Sequence, residues 1–257
     1  MVPTASLAVA RYADRIEEDA AILSGLYGES TWSLPVPSCP GWRLEDLLRH
    51  LGAVHRWATT YISQGLEAML PAASEEEMLH SGPSRGELGP WLLEGAAALS
   101  SGLRRSPADL RCWTFLPAPS TLIFWARRQA HETAIHRVDG ELALGSPRPF
   151  PGDFAADGIG EFLLGFAVRS RKRLRHDPTT AAVLLAEDTD DRWRFAGTPD
   201  GLQVEVGAEV VAPTIVSGPA HHLYLLVWNR NSLDQLTLTG SPDPVEWLLQ
   251  VLRVTWG

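Results

Sequence analysis

The run "HETAIH", residues 131–136, gathers the side chains with the most chemistry to offer. It differs by one residue from H-E-x-x-H, the pattern in which two histidines four apart share one helix face and bind zinc. Here His131 and His136 are five apart. On a helix turning 100° per residue they diverge by about 140° and cannot easily hold one ion together. Glu132 and His136 are four apart, separated by about 40°, and do share a face. Trp125 and Gln129 lie on the same strip, while Ala126, Ala130 and Ala134 line another side. A helix with no clean polar face is expected to be buried on more than one side. A buried Glu and His need partners, and one metal ion would satisfy both. The alternative is an exposed Glu–His pair that lends the helix weak support.

A third ligand must come from another element. The candidates are His50 and His55, again five apart, each at one flank of the apolar stripe Leu47–Leu51–Val54. At most one is expected to face the core, and periodicity alone does not choose between them. Asp139, three residues after His136, is read as capping the end of its helix at the surface, with hydrogen bonding to a ligand histidine as the alternative. Trp42 and Trp125 are read as core rather than pocket wall. His55 and His131 are assigned to packing or the surface. The adjacent His221 and His222 do not share a face and form no metal pair.

The elements that position these residues can be read from apolar spacing. Helices are expected over about 5–28, 43–66, 87–104 and 120–139, separated by the proline-rich stretch containing "SCPGW", a polar linker beginning "PAASEEEML", and "SPADL". Four helices of this kind suggest a bundle. Beyond "GSPRPFPGD" the pattern changes. A helix over about 153–173 precedes three strand-like runs, "AAVLLAED", "DRWRFAG" and "LQVEVG". "GPAHHLYLLVWNR" reads as a helix, "LTLTG" as a strand, and "DPVEWLLQVLRV" as a closing helix with Asp243 as N-cap and Pro244 at its first helical position. The chain is thus expected to divide near residue 150 into a helical domain, 1–150, and a smaller α+β domain, 151–257.

The 257 residues carry a formal net charge of −9, which argues against a nucleic-acid partner. The basic run "RSRKRLRH", 169–176, is read as a solvated helix face. Two unpaired cysteines suggest a reducing compartment. The acidic N-terminal stretch is unlike a signal peptide, and no window reaches the apolar length of a membrane helix. A cytoplasmic protein without membrane partners is expected.

Two blocks carry a family resemblance. "VPSCPGWRLEDLLRHLGAVHRW", 36–57, and "WARRQAHETAIHRVDGELALG", 125–145, resemble the mycothiol-dependent maleylpyruvate isomerase family, and "GPAHHLYLLVWNR" is similar to its C-terminal domain. The resemblance implies a DinB-like four-helix bundle holding a divalent metal, usually zinc, followed by a smaller C-terminal α/β domain. It implies His50, Glu132 and His136 as metal ligands, the "RHLG" pattern selecting His50 over His55. It also implies that Arg230 serves the active site from the second domain, although the family more often has Gly where Asn229 precedes that arginine here.

Two imidazoles and a carboxylate would leave a tetrahedral zinc one open position, the catalytic arrangement. A thiol held there is deprotonated, and thiolate is the reactive nucleophile. The implied function is activation of mycothiol for attack on an electrophilic small molecule. In a transferase the adduct is the product; in a cis–trans isomerase it rotates about the former double bond and expels the thiol. Arg230 would pair with a substrate carboxylate. A monomer or small homo-oligomer acting on a small molecule and a thiol is expected. Two other readings stand beside this one: a zinc enzyme that activates water without a thiol, and a ligand-binding or regulatory module without turnover.

Overall fold

The computed structural model describes residues 7–145, 147–176 and 179–253. Residues 5 and 6 of the expected first helix and Val254 of the expected last one lie outside these. Leu7–Arg148 form one compact unit and the chain from Pro149 onward another. No helix among the described residues is long and apolar enough to cross a membrane.

The first unit contains α1 (Val9–Leu26), α2 (Leu44–Gln64), α3 (Ala72–Leu79), α4 (Leu88–Arg105) and α5 (Thr121–Leu142). The apolar stripes do what their spacing predicts: Leu23, Leu47, Leu51, Leu92, Leu99 and Val138 are fully buried. Both α1 and α2 pack against α4 and α5. Small residues set how closely they approach. A Cβ on Gly52 would collide with Trp91 of α4, and one on Gly140 with Leu23 of α1. The entries of the site-bearing helices are capped. The Arg43 backbone N–H donates to the Asp46 carboxylate at 2.8 Å, and Ser120 Oγ accepts from the Ile123 N–H at 3.2 Å.

The stretch read as a polar linker contains α3. "AASEEEML" is rich in helix formers but has no apolar stripe to announce itself. It docks through Glu75, which accepts from Trp57 Nε1 at 3.0 Å and from the Tyr61 hydroxyl at 2.9 Å.

The second unit starts with α6 (Gly152–Glu161), which widens into a π-helical segment over Phe162–Ala167. The helix ends at residue 169, four short of expectation, so the basic run is not a helix face. Its residues 170–173 form turns, Leu174 is buried, and the Arg171 carbonyl accepts from the Leu202 N–H at 3.2 Å. Strands β1 (Thr180–Ala186), β2 (Arg192–Thr198), β3 (Gly201–Val206), β4 (Thr214–Gly218) and β5 (Thr237–Thr239) make one sheet of order β3-β2-β1-β4-β5. All neighbours are antiparallel except β1 and β4, which run parallel with Val183 opposite Ile215. Sequence patterning missed β4, because five residues following Pro213 carry too little alternation to register. Helices α7 (Ala220–Val227) and α8 (Asp243–Val251) pack on β1. Pro242, not Asp243, is the N-cap of α8; Asp243 already lies inside the helix.

Asn229 has its physical reason at the end of α7. Its φ is +60°, a left-handed conformation that glycine adopts most easily and asparagine next. The Asn229 N–H donates to the Leu226 carbonyl at 2.9 Å and the Arg230 N–H to the Leu225 carbonyl at 2.8 Å. Those two bonds define a Schellman cap, so asparagine performs here the task that glycine would perform.

Candidate metal centre

Every residue of α5 from Arg128 to Glu141 is buried, which is why its sequence shows no polar face. Within this stretch Glu132 and His136 lie one turn apart, and His50 meets them from α2. The three residues bring ligand atoms within 4.8 Å of one another. Glu132 Oε1 lies 3.2 Å from His136 Nε2 and 3.6 Å from His50 Nε2. Glu132 and His136 are 3% and 1% exposed, whereas His50 keeps 16% of its side chain open.

The chemistry of these contacts fits a cation. Glu132 Oε1 and His136 Nε2 face each other at 3.2 Å without hydrogen-bond geometry, although both atoms are buried. Such a juxtaposition is costly unless something satisfies both lone pairs. Two imidazole nitrogens and a carboxylate oxygen are donors of the type that binds zinc.

The surroundings orient the three side chains. The buried Arg128 guanidinium, one turn before Glu132, donates to Glu132 Oε2 at 3.1 Å and leaves Oε1 to face the histidines. Asp139 is fully buried and accepts from His136 Nδ1 at 2.9 Å. The surface-cap reading of Asp139 is therefore wrong: one more turn of α5 carries it inward, beside the ring it orients. Asp139 also accepts from Ser38 Oγ at 2.5 Å and from Cys39 Sγ at 3.5 Å. Cys39, His136 and Asp139 form a second group with metal-ligand character. There the imidazole and the thiol are already engaged as donors to the carboxylate.

Trp42 and Trp125 part company. The Trp42 ring lies 4.9 Å from the His50 ring and stacks on His136 at 6.2 Å and 24°, so it walls the centre. Trp125 is fully buried in an aromatic cluster with Trp57 and Tyr61, as expected of core.

Electrostatics sharpen the roles. Burial pushes the Glu132 carboxyl upward, but contacts with His136 and His50 and the charge of Arg128 outweigh it and hold it well below the usual carboxylate range. Burial likewise disfavours a charged His136, yet Asp139, Cys39 and Glu132 together hold its imidazole well above the ordinary value. Burial lowers His50.

The other histidines are elsewhere occupied. His55 turns inward as well as His50, against the expectation that one would face out, because α2 is covered by both α4 and α5. His55 Nε2 lies 2.9 Å from Thr133 Oγ1, whose own proton goes to the Gln129 carbonyl. The ring must therefore donate from Nε2, and burial pushes its pKa down to about 3. His131 is fully buried edge-on to Tyr12. His221 Nδ1 accepts from the Phe150 N–H at 3.3 Å in the second unit. Arg230 also belongs to that unit, where its Nη1 donates to the Trp228 carbonyl at 2.7 Å.

Sequence reading missed Ser38, Cys39 and Arg128. The first two sit in "SCPGW", whose prolines and glycine mark a loop without indicating where it folds. Arg128 had a usable signal in its spacing of four from Glu132.

A helical unit joined to a mixed-sheet unit is matched by the two domain models of a known family. A model of the mycothiol maleylpyruvate isomerase N-terminal domain matches residues 13–140, and one of the MDMPI C-terminal domain matches residues 153–246. The chain belongs to the maleylpyruvate isomerase family. Among solved structures it is similar to the mycothiol-dependent maleylpyruvate isomerase, with a TM-score of 0.61 and 16% identity over 95% of this chain and 99% of that one. A histidine-to-alanine variant of the mycothiol-dependent maleylpyruvate isomerase gives 0.63 and 15%, over 95% and 99%. At such identity these likenesses establish the fold. No curated protein matches the chain by sequence.

Proposed function

We propose that this protein is a metal-dependent enzyme that activates a low-molecular-weight thiol, mycothiol, for attack on an electrophilic small molecule. It acts as an S-transferase or a cis–trans isomerase. The observation that carries this reading is the buried convergence of His50, Glu132 and His136, with Glu132 Oε1 and His136 Nε2 lacking hydrogen-bond geometry toward each other. These three residues would hold a divalent ion, expected to be zinc. When bound, the ion supplies Lewis acidity that favours the deprotonated form of a thiol.

The chain's own residues do the rest. Asp139 holds the proton of His136 on Nδ1 and turns Nε2 inward. Arg128 fixes the rotation of the Glu132 carboxylate. Trp42 covers both histidine rings and restricts water at them. Glu132 and Asp139 bring two negative charges and Arg128 one positive. A divalent ion would leave that group with a positive balance, which favours an anionic fourth partner such as a thiolate over neutral water. Arg230, in the second unit, supplies a planar guanidinium for a substrate carboxylate. Family membership supports mycothiol as the thiol. The free Cys39 and Cys112 fit a reducing, cytoplasmic setting.

The test has two stages. Metal analysis of chelator-free protein is expected to give one ion per chain; an ion-free wild type sinks the proposal. Calorimetric titration of the zinc form with mycothiol is then expected to show binding. Zinc without thiol binding would move the reading to hydrolytic chemistry.

A further inference from the structure

The loop 36–42 reaches the candidate centre with three separate side chains. It is an ordered hairpin-like turn: the Val36 N–H donates to the Trp42 carbonyl at 2.9 Å, and Gly41 takes a φ of +89° that lets the chain reverse. Trp42 lies on the two histidine rings. Ser38 and Cys39 both donate to the carboxylate of Asp139, one to each oxygen.

That division matters. A carboxylate bonded on one oxygen can swing about its Cβ–Cγ bond and keep the contact. A carboxylate bonded on both cannot. Asp139 Oδ2 is the oxygen that receives the His136 Nδ1 proton, at 2.9 Å. Ser38, on Oδ1, is the group that stops the carboxylate plane from turning away. At 2.5 Å its O–H···O contact is at the short, charge-assisted end of the range. The Cys39 S–H at 3.5 Å is a weak donor sharing the oxygen His136 already uses. Ser38 should therefore outweigh Cys39.

We infer that Ser38 is a positioning residue for the metal centre. Through Asp139 it holds the proton of His136 on Nδ1, and so commits the Nε2 lone pair to the point where Glu132 and His50 converge. The inference rests on the metal reading above and adds to it a task for the SCPGW loop. Ser38 and His136 are about a hundred residues apart in the chain, and no spacing rule connects them.

Two measurements test it, one independent of metal. In metal-free protein labelled with 15N-histidine, the Nδ1 proton of His136 should exchange slowly with water. Ser38→Ala should speed that exchange at least about tenfold, the scale on which a supporting partner acts. Ser38→Thr, which keeps the hydroxyl, and Cys39→Ala should stay near wild type. In chelator competition, Ser38→Ala should weaken metal binding by about tenfold, again with rescue by Ser38→Thr, while the metal-free protein stays folded with a modestly lowered Tm. Wild-type exchange and affinity in Ser38→Ala overturn the inference. So does a loss that accompanies unfolding of the metal-free protein and is not rescued by Ser38→Thr. A wild type that binds no metal defeats the metal reading, and the proton-exchange result then decides alone whether Ser38 positions His136.

Discussion

Helix α5 carries two buried polar clusters built on the same spacing. Glu132 and His136 are four apart, and so are Arg137 and Glu141. In the second cluster, Arg137 meets Glu141 at 2.7 Å and Asp19 of α1 at 3.1 Å, and Arg15 meets Asp19 at 2.7 Å. Guanidinium groups keep their charge at any accessible pH, so each acid there has a permanent counter-ion. In the first cluster, Arg128 holds one oxygen of the acid, and the groups facing the other are imidazoles, whose protons can leave. There Glu132 Oε1 and His136 Nε2 abut without a hydrogen bond. The same spacing on one helix gives a cross-brace in one place and a candidate cation site in the other, and residue type makes the difference.

The largest test of this contrast is Glu132→Ala. It should abolish metal retention in dialysed protein, measured by elemental analysis, because the ligand set loses its only anion. An ion retained at full stoichiometry would place the metal elsewhere, with Cys39, His136 and Asp139 the next group to examine. Next comes Asp19→Ala, which strands Arg137 and Arg15 beside a smaller share of negative charge. Chemical denaturation should show a loss of about 3 kcal/mol, the cost of breaking a buried pair, with metal content unchanged. A loss of metal in that variant would mean the two clusters are one.

A pH series comes third. The contacts of His136 hold its pKa above the ordinary histidine value in the metal-free protein, so below that raised pKa a proton competes for the site. Metal affinity should therefore rise with pH up to that raised pKa and level off above it, by roughly tenfold per unit while one proton is displaced per ion. Affinity flat with pH across this range would mean that His136 is not a ligand. The smallest effect belongs to His131→Phe. The ring packs edge-on against Tyr12, about 140° around α5 from His136. Metal binding should not change, although this histidine opens the motif.

The long helices and the pairing of Glu132 with His136 were legible in the sequence because both follow from rotation per residue. His50 was not. Periodicity left it level with His55, and only the likeness of "RHLG" to a family pattern separated them. The structure gives the reason: both rings turn inward from a helix covered on two sides, so an argument about facing could not choose. Asp139 was misjudged because position near a helix end suggested exposure, whereas α5 is buried up to Glu141. Ser38 and Cys39 were invisible for another reason: a loop advertises its turns, not its destination. The same limit hid β4, whose five residues have no signal of their own and are strand only because β1 and β5 flank them.

The place of β4 also bears on how the second unit assembles. Strands β1, β2 and β3 form a meander of neighbouring hairpins, with short loops that close quickly. Until residues 214–218 arrive, β1 presents an unpaired edge with the sequence "TAAVLLA", free of charge and proline. An edge of that composition is a template for pairing with another copy of itself. A nascent or truncated chain ending before residue 214 should therefore be prone to aggregate, and β4 is the strand that closes this edge.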